Sequence, residues 1–185
     1  MTQFKHKIHK DSSDEYGTPP SFVRPIAEAL GGFDLDPASG AETAPHASTR
    51  YTEEDDGLTS EWFGAVWLNP PFSEKERWLR RARAEVADGS VETAVVLLPV
   101  DTSTSLFHDL VVEADLIWFK DGRLVFDGGD RNPSFGILLA VYGHVPEELC
   151  ETLDRKGTVF RPGEKFQRTE QATLAASGGE PTDAA

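Results

Sequence analysis

The sequence predicts an α/β fold built on an open, mainly parallel sheet with an antiparallel edge. Short apolar runs alternate along the chain with segments whose apolar residues recur at helical spacing, the pattern of strands joined by helices. The run at 92–99 is almost continuously apolar, as in a parallel strand buried on both faces. Two later runs, 123–126 and 135–142, are expected to pair as strands and to form the antiparallel edge.

Length and composition predict one domain with a real core, since the 185 residues are 38% hydrophobic. We expect this domain at 16–162, between a flexible basic arm at 1–15 and a disordered polar tail at 163–185. There is no apolar run of about 18 residues for a membrane span and no visible signal peptide, so a cytoplasmic location is expected. One cysteine and five scattered histidines lack metal-ligand spacing, and no metal site is expected.

The chain is strongly acidic, with 32 Asp and Glu against 18 Lys and Arg and a formal net charge of −14. This charge opposes nonspecific binding to nucleic acid through the overall field of the protein. One hypothesis is adaptation to high salt in a halophilic host, and unfolding on removal of potassium or sodium chloride would support it. The alternative is simply an acidic protein.

The other elements are predicted in chain order from caps and periodicity. Thr18 can cap a first helix that runs to Leu30, with Pro19 in its first turn. A second helix is expected from Glu74 to Asp88, because apolar residues recur there at helical spacing and Gly89 follows. The remaining predictions are strands at 33–36, 65–68 and 114–119 and helices at 103–113 and 146–155. The segment 37–64 is polar, rich in turn residues and without strong periodicity.

The strand predicted at 65–68 ends in Asn69-Pro70-Pro71-Phe72. The two prolines are expected to fix a stiff turn at the carboxyl end of the strand, where open α/β sheets bind their ligands. Asn69 Oδ1 and the Pro70 carbonyl can accept both hydrogens of an exocyclic amino group, while Phe72 stacks on the ring. Asn-Pro-Pro-aromatic is the signature of methyltransferases that act on amino or amide nitrogen.

Such an enzyme needs a methyl donor, and S-adenosylmethionine presents an amino-acid end, two ribose hydroxyls and an adenine. Asp34 and Asp36 alternate along the first strand, so only one of them easily faces the donor. Asp36, at the end of the strand, is the first choice; the alternative is that both carboxylates make structural hydrogen bonds. Asp56 can accept from the amino group of the donor adenine and Leu58 can pack on its ring, unless this acidic run is only a solvated loop.

Several short motifs, in their order, resemble the phage-type DNA N6-adenine methyltransferase (Dam) family over roughly residues 14–143. They are Tyr16–Pro20, Phe33–Ser39, Tyr51–Leu58 with Trp62, Trp67–Phe72, Leu97–Pro99, and Gly122–Phe126 before Ser134 and Phe135. The resemblance implies a compact class I, Rossmann-like methyltransferase that uses S-adenosylmethionine. The familiar Gly-x-Gly loop is absent, and the fold is shortened between the first and the catalytic strand, so no acid is assigned to the donor ribose.

The resemblance also implies residue roles. Asn69, Pro70, Pro71 and Phe72 correspond to the catalytic tetrapeptide, with Asn69 also beside the donor. Thr18 and Pro19 would lie near the amino-acid end of the donor. The remaining donor contacts would come from the Asp36-Pro37-Ala38 loop and from the region of Asp56 and Leu58.

The expected activity is methylation of the N6 amine of an adenine that is flipped out of DNA. Arg77, Arg80 and Arg81 are candidates for phosphate contacts, with Arg123 as a weaker one; the alternative is a solvated helix face paired with glutamates. Other interpretations are methylation of a protein glutamine amide or of RNA adenine and, from another class, a catalytically idle DNA-binding or interaction module. A viral or prophage origin is compatible with the resemblance, and the oligomeric state is open.

Overall fold

The computed structural model describes residues 17–40, 46–126 and 134–162. The expected arm at 1–15 and tail at 163–185 lie outside these residues. The described strands are β1 (Leu35–Asp36), β2 (Thr49–Arg50), β3 (Gly64–Leu68), β4 (Val91–Pro99), β5 (Leu116–Lys120), β6 (Ile137–Gly143) and β7 (Gly157–Phe160). The described helices are α1 (Pro20–Ala29), α2 (Lys75–Asp88), α3 (Ser105–Asp109) and α4 (Glu147–Asp154), with 3-10 turns at Glu53–Asp55 and Val111–Glu113.

The strands form one sheet in the order β2-β1-β3-β4-β6-β5-β7. β1 is parallel to β2 and β3, and β3 is parallel to β4. β6 is antiparallel to both β4 and β5, so β5 has the direction of β4, and β7 is antiparallel to β5. This topology confirms the predicted α/β class with a mainly parallel sheet and an antiparallel side.

The strand predicted at Arg123–Phe126 is wrong. This segment forms no ladder within the described residues; β6 pairs with β4 and β5 instead, and the unpredicted β7 completes the edge. Leu124 and Phe126 are buried while Val125 is 54% exposed. The run that predicted a strand is therefore a segment that buries the side chains of Leu124 and Phe126 without joining the sheet.

Two apolar layers cover the sheet. On β3, Val66 and Leu68 face the layer that contains α2, whereas Trp67 faces the layer that contains α1 and α4, as the two-residue period of a strand requires. β4 is buried on both faces, as predicted. None of the helices in the described ranges has the length and apolar character to cross a membrane.

The helix boundaries depart from prediction mainly at their starts. Pro19, not Thr18, is the N-cap of α1, and its first residue is Pro20, whose ring suits a position that needs no N–H donor. α2 begins one residue later than predicted and ends at Asp88, as predicted, with Gly89 as its C-cap at φ of 88°. The helix predicted at 103–113 is a short α3 followed by a 3-10 turn. α3 begins after Thr104, whose side chain caps it by accepting from Phe107 N at 3.3 Å.

Candidate active site

The candidate residues meet at the carboxyl edge of the parallel strands. β1 and β3 are neighbours, with Leu35 in register with Val66, so the residues that follow both strands emerge at the same edge. One group is the loop Asp36–Ala38 and the other is the turn Asn69–Phe72. The segment before α1 reaches the same place, because Thr18 is hydrogen-bonded to Asn69.

Asn69 is held by the segment that precedes α1. Its Nδ2 donates to Thr18 Oγ1 at 3.0 Å, and Thr18 is only 3% exposed. The carbonyl of Thr18 lies 3.0 Å from His46 Nε2, and the His46 ring is edge-on to Trp67 at a centroid distance of 6.1 Å. Thr18 therefore uses its hydroxyl on Asn69 and does not cap α1 as predicted.

The Pro-Pro turn leads directly into α2. Glu74 N donates to Pro71 O at 3.0 Å, and Lys75 Nζ donates to Phe72 O at 3.0 Å. Phe72 is half-buried and meets Phe135 edge-on, with ring centroids 5.6 Å apart. The first turn of α2 thus fixes the backbone of the candidate catalytic residues.

The two aspartates of the first strand have different roles. Asp34 is exposed and its Oδ2 accepts from Ala65 N at 2.8 Å, which ties the start of β1 to β3. Asp36 is 5% exposed and its Oδ1 accepts from Ala38 N at 3.2 Å. Burial raises the pKa of the Asp36 carboxyl to about 7, although the Ala38 N–H and the charge of Arg50 act in the opposite direction. Asp36 is therefore a buried carboxyl group at the end of β1 whose negative charge is only partly compensated by its neighbours.

The predicted donor-adenine loop lies against the Asp36 loop. A Cβ added to Gly57 would come within 1.9 Å of Pro37 O, so the two loops touch through backbone. Trp62 Nε1 donates to Gly57 O at 2.7 Å. Asp56 is exposed with φ of 48°, and half-buried Leu58 packs on the core layer of α2. The loop is therefore packed against the Asp36 loop and the core, and Asp56 is exposed on its surface.

Two of the arginines predicted to contact DNA lie on the exposed face of α2. Arg77 Nη1 is 2.6 Å from Glu74 Oε1, and Arg80 Nη2 is 2.7 Å from Glu76 Oε1. These are the glutamate pairs of the alternative interpretation. Arg123 is also exposed. All three guanidinium groups are accessible, and phosphate contact stays a prediction for each.

Arg81 is placed differently from the other helix arginines. Its Nη1 donates to Leu58 O at 3.1 Å and its Nη2 to Ser60 O at 3.2 Å. Its Nε is 2.6 Å from Glu85 Oε1, and the guanidinium lies 5.9 Å from the centroid of the Trp62 ring. Arg81 therefore anchors the loop of Leu58 and Ser60 to α2, which leaves it few donors for a phosphate.

No local pattern marks His46 or Phe135 as part of the site. His46 contacts Thr18 across 28 positions of sequence, so no spacing rule could connect them. Phe135 lies in a motif of the resemblance, but its contact with Phe72 depends on the placement of β6 beside β4. Gly57 could have been found, because an Asp-Gly pair indicates a tight turn.

Comparison with known proteins places these residues in a family. The solved 23S rRNA methyltransferase ErmE is 17% identical with a TM-score of 0.42, covering 68% of this chain and 69% of that one. A DNA N-6-adenine-methyltransferase of Escherichia phage T1 is 26% identical over 135 residues, with 63% of this chain and 55% of the relative covered. The chain thus spans little more than half the length of that relative.

The sequence model of the family described as DNA N-6-adenine-methyltransferase (Dam) matches residues 5–138. This match takes in more than half of the chain and contains every candidate residue from Thr18 to Arg123. The matched range also includes both partners of the hydrogen bond between Thr18 and Asn69, as well as the buried Asp36. The protein therefore belongs to the DNA N-6-adenine-methyltransferase (Dam) family.

Proposed function

We propose that this protein transfers a methyl group from S-adenosylmethionine to the N6 amine of an adenine flipped out of DNA. The observation that carries the proposal is Asn69, anchored by a buried threonine at the carboxyl end of β3 and followed by Pro70-Pro71-Phe72. Membership of the Dam family and the name of the phage T1 relative support adenine in DNA as the substrate.

The residues around β1 fit the chemistry of S-adenosylmethionine. The buried Asp36 carboxyl, whose pKa burial raises to about 7, suits a ligand that brings positive charge and hydroxyl donors. Leu58 offers an apolar surface for a flat ring, and it is held beside Pro37 by the backbone approach at Gly57. Thr18 and Pro19 border the same edge. When bound, the donor supplies an electrophilic methyl group.

The chain's own residues would act by positioning. In the proposal, Asn69 Oδ1 and the Pro70 carbonyl accept the two hydrogens of the adenine amine, and Phe72 stacks on the ring. This draws the nitrogen lone pair out of conjugation and directs it toward the methyl group. In this step the nitrogen would form a bond to the methyl carbon as the bond from that carbon to the donor sulfur breaks and its electron pair stays on the sulfur. The nitrogen would then lose a proton to the acceptors or to water. The rate enhancement comes from orientation and from preorganised acceptors.

DNA contact falls to the exposed arginines in this proposal. Arg77 and Arg80 are paired with glutamates, but exposed ion pairs are worth only about 0–1 kcal/mol, so a phosphate can replace the glutamate partner. Arg123 is a third candidate. Arg81 contributes less, because its guanidinium is engaged by two carbonyls and a carboxylate.

Sequencing of 6-methyladenine in DNA from cells that express the protein tests the proposal directly. We expect methylated adenines in a defined sequence context in cells with the wild-type protein and none in cells with Asn69→Ala. Unmethylated DNA together with labelling of RNA or of protein glutamine by the same protein would overturn the assignment of the substrate. Labelling of none of the three would favour the catalytically idle interpretation.

Gly57→Ala is expected to weaken donor binding and to lower stability by about 1–3 kcal/mol, because the new Cβ would meet Pro37 O at 1.9 Å and force the two loops apart. Chemical denaturation and calorimetric titration with S-adenosylmethionine measure the two effects. Gly136→Ala is the matched control for stability, since its Cβ would meet Arg123 Nη1 at an ordinary 3.5 Å. Unchanged donor affinity in Gly57→Ala would contradict the placement of the donor against this loop.

A further inference from the structure

Thr18 is buried beside the candidate catalytic residue and not at a helix end. It is 3% exposed, and its hydroxyl accepts from Asn69 Nδ2 at 3.0 Å. The N-cap of α1 is Pro19, with no side-chain cap. The hydroxyl is therefore not used to cap the helix, and it is hydrogen-bonded to the side chain on which the proposed reaction depends.

The orientation of an asparagine amide decides what it can do. One branch of the group is a donor and the other is an acceptor, and rotation by half a turn exchanges them. The proposed reaction needs Oδ1 of Asn69 toward the target amine, because an NH₂ group in its place would oppose the hydrogens of the substrate. A partner that accepts from Nδ2 holds the side chain in the productive orientation, and Thr18 Oγ1 is in that position.

Thr18 is itself held in place by His46. Its carbonyl can only accept, so the His46 Nε2 that lies 3.0 Å away carries a proton and donates to it. The His46 ring packs edge-on against Trp67, which is fully buried in β3 two residues before Asn69. The chain segment with Thr18 is thus held, through His46, against β3, the strand that Asn69 directly follows.

We propose that Thr18 is a positioning residue that sets the amide orientation of Asn69, with His46 fixing the backbone of Thr18. This inference rests on the proposed function. It differs from the role that family resemblance implies for Thr18, contact with the amino-acid end of the donor. The two roles separate experimentally, because a donor contact governs donor affinity whereas amide orientation governs the rate of transfer.

The test compares Thr18→Val, which keeps the shape and removes the hydroxyl, with Thr18→Ser, which keeps the hydroxyl. For Thr18→Val we expect kcat for DNA methylation to fall by about 10-fold to 100-fold, as for a misoriented catalytic group. The KM for DNA and the calorimetric affinity for S-adenosylmethionine stay close to wild type, and Thr18→Ser restores most of kcat. Loss of donor affinity in Thr18→Val with kcat unchanged at saturating donor would overturn the inference.

Thr93→Val is the matched control. Thr93 is 2% exposed and its Oγ1 donates to His144 O at 2.7 Å, near the start of β4 and so at the opposite edge of the sheet. The substitution removes one buried hydroxyl contact, as in Thr18→Val, and should change stability without changing kcat. An equal loss of kcat in both variants would show a general effect of destabilisation and would overturn the role of Thr18.

A second readout does not depend on activity. The sequence contains two asparagines, Asn69 and Asn132, so selective ¹⁵N labelling of their side chains gives two NH₂ groups, each seen as a pair of signals at one ¹⁵N shift. The pair that disappears in Asn69→Ala is the signal of Asn69. Thr18→Val should shift the Asn69 signal and leave Asn132 in place, and an unmoved Asn69 signal would refute the contact. If the wild type methylates no DNA, the proposed function fails, while this measurement still decides whether Thr18 holds the amide.

Discussion

Asn69→Ala is expected to abolish methyl transfer to DNA, with a loss of at least about a hundredfold, while S-adenosylmethionine still binds. Removing one preorganised catalytic group typically costs about 10²–10³ in rate, and here the substitution also removes the side chain that Thr18 orients. Incorporation of labelled methyl groups into DNA measures the rate, and calorimetric titration measures donor binding.

Asn69→Asp is the matched variant for this prediction. It keeps the volume and one acceptor oxygen, and the Thr18 hydroxyl can donate to the other carboxylate oxygen. We expect residual transfer above that of Asn69→Ala. Full activity in Asn69→Ala would remove Asn69 from the chemistry and with it the mechanism proposed for the tetrapeptide.

Asp36→Asn is expected to weaken donor binding by at least about tenfold and, at pH 8, to stabilise the free protein by on the order of 2–4 kcal/mol. The gain in stability follows from the burial that raises the pKa of Asp36 from 3.8 to about 7. Because the folded protein holds this proton more tightly than the unfolded chain, the associated stability is fully present below pH 4 and is lost as the pH rises through 7. Asparagine removes that loss, and it also removes the negative charge that the donor needs.

Thermal and chemical unfolding between pH 4 and 9 measures the stability change, and titration with S-adenosylmethionine over the same range measures affinity. In the wild type, donor affinity should fall as the pH drops below 7, since the bound state needs the carboxylate. Asp34→Asn is the control, because this exposed neighbour can keep its hydrogen bond from Ala65 N as an amide. Equal stability of Asp36→Asn and wild type at pH 8 would contradict the buried, uncompensated carboxyl.

The elements with strong local patterns were predictable. α2 has an apolar stripe and is followed by a glycine, and β4 is a long and nearly continuous apolar run. In both elements the local sequence pattern and the burial of the side chains favour the same structure. β2 and β7 have two and four residues, and neither stands out from its surroundings in sequence. β2 is a strand because it pairs with β1, and β7 is a strand because it pairs with β5. In both cases the hydrogen-bonding partner lies elsewhere in the chain.

The site shows the same division between local and distant information. The sequence predicts Asn69–Phe72 and Asp36 as site residues because each lies at the carboxyl end of a predicted strand, where a parallel sheet binds its ligands. The sequence left the choice between Asp34 and Asp36 to an argument about alternation. The structure adds a physical difference, since one carboxylate is hydrogen-bonded at the surface and the other is buried.

The sequence by itself determined the α/β class, the order of the main elements, and the tetrapeptide and further motifs that together resemble the family, because these depend on local periodicity and on short motifs. Only the tertiary structure decided that Thr18 faces Asn69, that Arg81 anchors the loop of Leu58 instead of lying free on α2, and that β6 enters the sheet between β4 and β5. Each of these depends on contacts between residues far apart in the chain, whose partners no pattern within one segment can specify.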